Sequence, residues 1–72
     1  MMEHVPVNSS NLKSVGYNED EEILEVMFNS GALYRYEGVP KDEYYGLVQA
    51  DSVGRYFNKS IKSGGYPYEK VG

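Results

Sequence analysis

Cysteine and tryptophan are absent from this sequence of 72 residues, and histidine occurs once. Without cysteine the chain can form neither a disulfide framework nor a thiolate metal site. No run of about 18 apolar residues is present, so no segment is expected to span a membrane. The start of the sequence has neither a cationic segment nor an apolar stretch, so we expect no secretory signal and a cytoplasmic location.

Side chains that commonly carry catalysis are also scarce. The single histidine, His4, lies in an unpatterned N-terminal segment, and no cysteine nucleophile exists. Residues 19–22 bring four carboxylates into one turn, but the oxygen-ligand spacing of a calcium loop is missing. We therefore expect no enzymatic activity, no metal and no cofactor.

What the sequence does contain is tyrosine, which occurs eight times and brings the aromatic fraction to 14%. Apolar residues make up 40% and charged residues 25%, which is typical of a globular protein. The length allows one small core, so large side chains must supply much of the burial. We expect a flexible N-terminal tail over residues 1–12 and a single domain over residues 13–72.

The charge is divided between the two parts of the chain. Residues 1–51 have a balance of −7 and residues 52–72 a balance of +3, within a net charge of −4. A net acidic protein binds nucleic acid poorly without a specific site, because phosphates are repelled. One basic face can still contact phosphate in such a bipolar protein. The basic side chains of the C-terminal part are Arg55, Lys59, Lys62 and Lys70.

Three strands are predicted over residues 14–18, 22–28 and 32–37, because these segments are rich in strand-forming residues. Asn29-Ser30-Gly31 has the pattern of a three-residue hairpin loop, with glycine supplying the left-handed conformation. The loop length then fixes the register. On one face this register places Phe28 opposite Ala32, Val26 opposite Tyr34 and Leu24 opposite Tyr36.

The opposite face of this hairpin pairs Glu25 with Arg35, a combination that a solvent-facing ladder favours. We therefore predict that the face with Tyr34 and Tyr36 is buried. The outward face also holds Ile23, Met27 and Leu33. A patch of this kind could be an interface with another protein or with a second copy, or simply scattered apolar exposure.

Two helices are predicted after the hairpin. The first opens at Val39-Pro40 and extends to Ala50, with acidic residues in its first turn. The second covers residues 52–63, capped by Asp51-Ser52 and ended by the glycines after Ser63. Its apolar side has Val53, Phe57 and Ile61, and its opposite side has Arg55, Lys59 and Lys62. Residues 66–71 are expected to be extended.

The predicted fold class is α+β, a three-stranded antiparallel β-meander with two short C-terminal helices packed on one face. A glycine within the first predicted helix, Gly46, costs about 1 kcal/mol relative to alanine, which indicates either a close backbone approach that permits close helix packing or a weaker helix prediction. Close helix packing is also the favoured explanation for Gly54, because no Gly-rich strand-to-helix loop surrounds either residue.

Several short sequence motifs follow one another along these predicted strands and helices. Tyr34-Arg35-Tyr36 is followed by Val39-Pro40, and then by Ala50-Asp51-Ser52-Val53-Gly54 and Phe57-Asn58. This combination resembles the KTSC family, which is named for the C-terminal extension of some lysyl-tRNA synthetases and also occurs as small stand-alone bacterial and phage proteins. The resemblance covers about residues 9–71. The family-motif positions are Tyr34, Tyr36, Ser52, Gly54, Phe57 and Asn58.

The resemblance implies RNA binding, through the attachment of this domain to a tRNA synthetase. The candidate nucleic-acid-binding residues are Arg55, Lys59, Lys62, Lys70, Tyr66 and Tyr68. Cationic side chains would contact phosphates and tyrosines would stack on bases. An ordinary solvated helix face is the commoner explanation of such a basic stripe, and a core role is the favoured explanation of Tyr34 and Tyr36.

The sequence thus favours a small, non-catalytic bacterial or phage binding module with RNA as the leading candidate ligand. The alternative is a protein–protein interaction or self-association module that uses the sheet face or the C-terminal tail. A structural accessory of a larger assembly is a third possibility. RNA binding predicts exposed aromatics beside a positive patch, whereas protein binding predicts an exposed apolar patch.

Overall fold

In the part of the chain that the structure describes, five antiparallel strands form one sheet, and their order in the sheet follows their order in the chain. The computed structural model describes residues 2–72. Its strands are β1 (His4–Pro6), β2 (Leu12–Asn18), β3 (Ile23–Phe28), β4 (Leu33–Glu37) and β5 (Tyr68–Lys70). The α+β class is confirmed, whereas the three-stranded meander is wrong because the sheet has two further strands.

The two additional strands are the edges of the sheet. β1 pairs with β2, with Val5 opposite Val15, and β5 pairs with β4, with Tyr68 opposite Tyr36. Both are three residues long, too short for the alternation that identifies a strand in a sequence. β1 also ends at Pro6, a residue that sheets accept at their edges. The assignment of residues 1–12 to a flexible tail therefore needs correction at His4–Pro6, which forms β1, and at Leu12, where β2 begins.

The predicted register of the central hairpin is confirmed. Leu24 lies opposite Tyr36, Val26 opposite Tyr34, and Glu25 opposite Arg35. The turn closes with a hydrogen bond from the Phe28 N–H to the Ala32 carbonyl, 2.9 Å long. Gly31 has a φ of 96°, the left-handed conformation that the loop requires.

A helical layer lies between β4 and β5 in the chain. Helix α1 spans Lys41–Gln49, and helix α2 spans Val53–Tyr56 and continues directly into a π-helical segment, Phe57–Lys62. The Ser52 hydroxyl accepts a hydrogen bond from the Arg55 N–H at 3.3 Å, which confirms the predicted cap. No helix within residues 2–72 has the length and apolar character needed to cross a bilayer.

The core lies between this helical layer and the face of the sheet that contains Tyr36. Phe57 is the largest side chain of the core that is almost completely buried. Its ring meets those of Phe28 and Tyr36 edge-on, with 5.6 Å between ring centroids in both pairs. The buried side chains of the core are Leu12, Val15, Leu24, Val26, Tyr36, Val39, Leu47, Val53, Phe57 and Ile61.

Leu12 reaches this core through an irregularity that the sequence does not reveal. The register of β2 against β3 shifts between Leu12 and Ser14, as in a β-bulge. The bulge adds a residue to β2, so Leu12 lies on the same face as Val15 although three positions separate them.

The outward face of the hairpin is less open than the sequence analysis predicts. Glu25 is only 9% exposed, because His4 of β1 and Arg35 of β4 lie beside its carboxylate. His4 Nε2 is 2.9 Å from Glu25 Oε1, and an Arg35 guanidinium N–H donates to Glu25 Oε2 at 3.1 Å. The placement of His4 in a free tail is therefore wrong.

Glycine opposite His4 makes this arrangement possible. His4 pairs with Gly16, where an added Cβ would lie 2.7 Å from His4 Cδ2 and 2.8 Å from the Glu3 carbonyl oxygen. The imidazole fills the space that a larger residue would occupy. Its Nδ1 lies 2.9 Å from the Ser14 hydroxyl, so both ring nitrogens have partners.

Gly46 has a similar role inside α1 and confirms the predicted close helix packing, although the neighbour is a side chain and not a backbone. An added Cβ at this position would lie 2.9 Å from Cζ of Tyr56. Tyr56 crosses α1 at that point and donates its hydroxyl hydrogen to Glu43 Oε1 at 2.7 Å. Alanine at residue 46 would therefore displace the link between α1 and α2.

We expect Gly46→Ala to destabilise the protein by about 1–3 kcal/mol, because the added methyl overpacks against Tyr56. In an open helix the same change would stabilise by about 1 kcal/mol. The measurement is the urea midpoint of the single variant and of the same change made in a Tyr56→Ala background. Stabilisation by Gly46→Ala in both backgrounds would contradict the contact.

Glu25, His4 and Arg35 form a hydrogen-bonded group that we call the Glu25 cluster. Its contribution can be tested through the acid sensitivity of the fold. Burial acts to raise the pKa of Glu25, but hydrogen bonds from His4 and Arg35 outweigh burial and hold the pKa below its usual value of 4.5. Such a group stabilises the folded state above the unfolded pKa, and the stabilisation is lost as the pH falls through the folded pKa.

We therefore expect Glu25→Gln to lower stability at neutral pH by about 1–2 kcal/mol. Its loss of stability on acidification below a pH of about 4.5 should be smaller than that of the unaltered protein. Urea midpoints at pH 7 and pH 3 measure both effects. The control is Glu37→Gln, an exposed residue on β4, and an identical acid dependence in all three proteins would contradict the role of Glu25.

Candidate nucleic-acid interface

A groove of about 720 Å³ lies between the π-helical segment and the end of the sheet that contains the β3–β4 turn. We call it the aromatic groove, because five aromatic side chains line it: Phe28, Tyr34, Tyr36, Phe57 and Tyr68. Tyr34 and Tyr36 are two positions apart on β4 and therefore project from the same face of the sheet. Tyr68 joins them because it is the partner of Tyr36 on β5.

The tyrosines of the aromatic groove differ strongly in exposure. Tyr36 is 5% exposed, whereas Tyr68 is 63% exposed and covers it, with 5.4 Å between ring centroids and an interplanar angle of 29°. Tyr34 is half-buried, and its ring centroid is 6.1 Å from that of Tyr68. The groove therefore presents the Tyr68 ring and part of the Tyr34 ring to a ligand, while Tyr36 supports them from the core.

Polar side chains form the rim of the aromatic groove. Asn58 and Lys62 lie four residues apart on the π-helical segment, and both are exposed. π-Helical segments are rare in proteins, and those that do occur are frequently found at functional sites. The Asn58 side-chain amide is exposed to solvent, and Lys62 is the one charged side chain among the described residues that line the groove.

The opposite rim is built by two further asparagines. Asn29 belongs to the β3–β4 turn, and its side-chain amide donates a hydrogen bond to the Ser10 carbonyl at 2.9 Å. The Asn29 backbone N–H donates to the Asn11 carbonyl at 2.8 Å, so the hairpin holds the segment before β2 in place. Asn11 lines the groove as a result.

A second groove of about 580 Å³ lies on the other side of Asn58, and we call it the side groove. Its lining includes two basic residues, Arg55 and Lys59, and one acidic residue, Asp51. Ser10, Asn11 and Asn58 line both grooves. The two grooves are thus neighbours with a shared wall.

Most of the predicted nucleic-acid-binding residues lie on this side of the molecule. Arg55, Lys59 and Lys62 are exposed along the helical layer and line one or the other groove. Lys70 is exposed and is the partner of Tyr34 in the sheet, so it projects from the same face. Tyr68 lines the aromatic groove directly.

Tyr66 is the exception among the predicted candidates. Its hydroxyl donates to Glu43 Oε2 at 3.2 Å, while Tyr56 donates to the other oxygen of the same carboxylate. Burial and the negative charge of Glu43 raise the pKa of Tyr66. Tyr66 therefore links the C-terminal segment to α1 and does not line either groove.

The family-motif positions divide between the two grooves. Tyr34, Tyr36, Phe57 and Asn58 line the aromatic groove, and Ser52 and Gly54 line the side groove. The core role favoured for the two β4 tyrosines applies fully to Tyr36 and only partly to Tyr34.

Sequence reasoning missed Asn11 and Asn29 as residues of the site. Asn29 was identified as part of the hairpin turn, and the register already places it next to Phe28 at the open end of the buried face. Asn11 gives no local signal, because its position depends on its pairing with Asn29 across the sheet end.

Comparison with known proteins gives consistent results. The family model of the KTSC domain matches residues 8–66. An uncharacterized protein of Stutzerimonas stutzeri (strain A1501) is 49% identical over 70 residues, which cover 97% of this chain and 99% of that protein. A solved crystal structure of a KTSC domain protein from Yersinia pestis has a TM-score of 0.92 at 36% identity and full coverage of both chains.

A third kind of relative is much longer. The lysine–tRNA ligase of Nostoc punctiforme is 36% identical over 60 residues, which cover 83% of this chain but 10% of the ligase. The similarity is therefore to one small part of that enzyme.

Proposed function

The chain belongs to the KTSC domain family, and we propose that it is a non-catalytic module that binds single-stranded RNA in the aromatic groove. The observation that carries the proposal is the composition of the groove. It combines exposed aromatic rings, an exposed side-chain amide and a lysine, with no acidic side chain among the described residues that line it.

Each of these groups matches one part of an unpaired nucleotide. Aromatic side chains stack on bases of any sequence, and Tyr68 and Tyr34 offer such surfaces. The amide of Asn58 has both a donor and an acceptor for the edge of a base. Lys62 supplies a positive charge for a phosphate. Stacking on a protein ring requires unpaired bases, which favours single strands over duplexes.

RNA is proposed as the nucleic acid because of the ligase relatives. The name of the similar Nostoc punctiforme protein, lysine–tRNA ligase, identifies an enzyme whose substrate is an RNA. This chain is similar to a small segment of that enzyme, so the connection supports RNA as a ligand class and does not specify which RNA. We propose that this binding takes place in the cytoplasm, the location expected from the sequence.

The charge distribution sets the strength of the proposed binding. The net charge of −4 repels polyanions at long range, while Lys62 and Lys70 attract them locally. We therefore expect weak affinity that falls further as salt is added.

A protein-binding role for the outward sheet face has less support. Ile23, Met27 and Leu33 are each half-buried, so little contiguous apolar surface is open. Met27 and Leu33 line a surface depression that the Glu25 cluster also lines, so charged groups lie next to these apolar side chains. RNA binding is therefore the function that the geometry supports best.

Replacement of Tyr68 tests the stacking surface. We expect Tyr68→Ala to weaken binding of a labelled oligoadenylate by about 1–3 kcal/mol, because the stacking ring is lost, and Tyr68→Phe to retain binding. Fluorescence anisotropy at low salt measures the affinity, and circular dichroism checks that each variant is folded. Tyr45→Ala is the matched control, since Tyr45 is 48% exposed on α1 and outside the groove. Equal affinities of the two alanine variants would argue against stacking.

Replacement of Lys62 tests the phosphate contact independently. We expect Lys62→Ala to reduce the salt dependence of oligoadenylate binding by about 0.7 in the slope of log K against log salt. The control is Lys41→Ala, because Lys41 pairs with Glu19 near the β2–β3 turn, at the other end of the sheet from the groove. A slope that Lys62→Ala leaves unchanged would contradict the contact.

A further inference from the structure

The aromatic groove is not isolated, because the side groove continues beyond Asn58. Asn58 stands between them on the π-helical segment, and Ser10 and Asn11 contribute to both. A ligand that fills the aromatic groove can therefore extend into the side groove without leaving the surface.

The two grooves have different chemistry. Aromatic side chains are confined to the aromatic groove, whereas the side groove is lined within residues 2–72 by serine, asparagine, glycine and charged side chains. Hydroxyl and amide groups commonly bind the phosphate and sugar of nucleic acids. The side groove thus suits a sugar–phosphate backbone and offers no ring for a base.

The cations continue from one groove to the other. Lys62, Lys59 and Arg55 extend over about 10 Å of helix at 1.5 Å per residue. None of them makes an ion pair within residues 2–72, so their charges are available to a ligand. Asp51 is the opposing acidic side chain of the side groove, which leaves a net positive lining.

We propose that the ligand is a single strand of more than one nucleotide, with its bases in the aromatic groove and its phosphates crossing Asn58 to reach Lys59 and Arg55. This inference rests on the proposed RNA-binding function and adds the length of the ligand and the path of its backbone. A mononucleotide would occupy the aromatic groove alone, and a longer strand would add phosphates that reach the side groove.

The test is a comparison of ligand lengths across matched variants. Adenosine mononucleotide, dinucleotide and tetranucleotide are titrated over a series of salt concentrations into the unaltered protein and into Arg55→Ala, Lys59→Ala and Lys41→Ala. Tyr68→Ala is included as the variant that affects the aromatic groove. Affinity is read by anisotropy or by competition with a labelled tetranucleotide.

We expect the tetranucleotide to bind more tightly than the mononucleotide and with a steeper salt dependence. Arg55→Ala and Lys59→Ala should each reduce the tetranucleotide slope by about 0.7 and leave mononucleotide affinity unchanged. Lys41→Ala should change neither. Tyr68→Ala should weaken ligands of every length.

Two results would overturn the inference in distinguishable ways. If affinity does not rise with length, or if Arg55→Ala and Lys59→Ala leave the tetranucleotide slope unchanged while Tyr68→Ala still weakens the mononucleotide, the backbone path is wrong and the proposed function stands. If no length binds in low salt, both the path and the proposed function are wrong.

Discussion

The packing of Phe57 against the sheet is the interaction on which the remaining structure depends. Its ring is 2% exposed and meets Phe28 and Tyr36 edge-on, which fixes the helical layer over β3 and β4. The same contact also sets the direction of two polar side chains of the aromatic groove. Asn58 directly follows Phe57 in the chain, and Lys62 lies about one helical turn after Asn58, so both are oriented by the position of Phe57. Burial of one aromatic side chain therefore builds both the core and one wall of the aromatic groove.

Features set by local periodicity could be predicted from the sequence. The turn at Asn29-Ser30-Gly31 fixed the hairpin register, and that register identified the buried face. The spacing of Val53, Phe57 and Ile61 identified the apolar side of the second helix, and the basic residues followed on its exposed side. Most of the lining of the aromatic groove comes from these two elements, because a turn signal and a periodic pattern can both be recognised in a single sequence.

The remaining features depend on contacts between distant segments, which a single sequence does not encode locally. β1 and β5 are too short to show alternation, so neither the cluster of His4 with Glu25 nor the place of Tyr68 beside Tyr36 could be inferred. The solvent-facing prediction for Glu25 was wrong because its imidazole partner comes from an unrecognised strand. Asn11 was missed for the same reason, since its place in the groove depends on the distant Asn29.

The position of β5 at the sheet edge has a dynamic consequence. All three of its residues are exposed, it pairs with β4 alone, and the whole helical layer separates those two strands in the chain. Edge segments with so little burial open locally at a lower free energy than central strands. We therefore expect the wall that carries Tyr68 to be less protected against hydrogen exchange than β3 and β4, and a nucleotide stacked on that ring to slow the exchange of the backbone amides in β5.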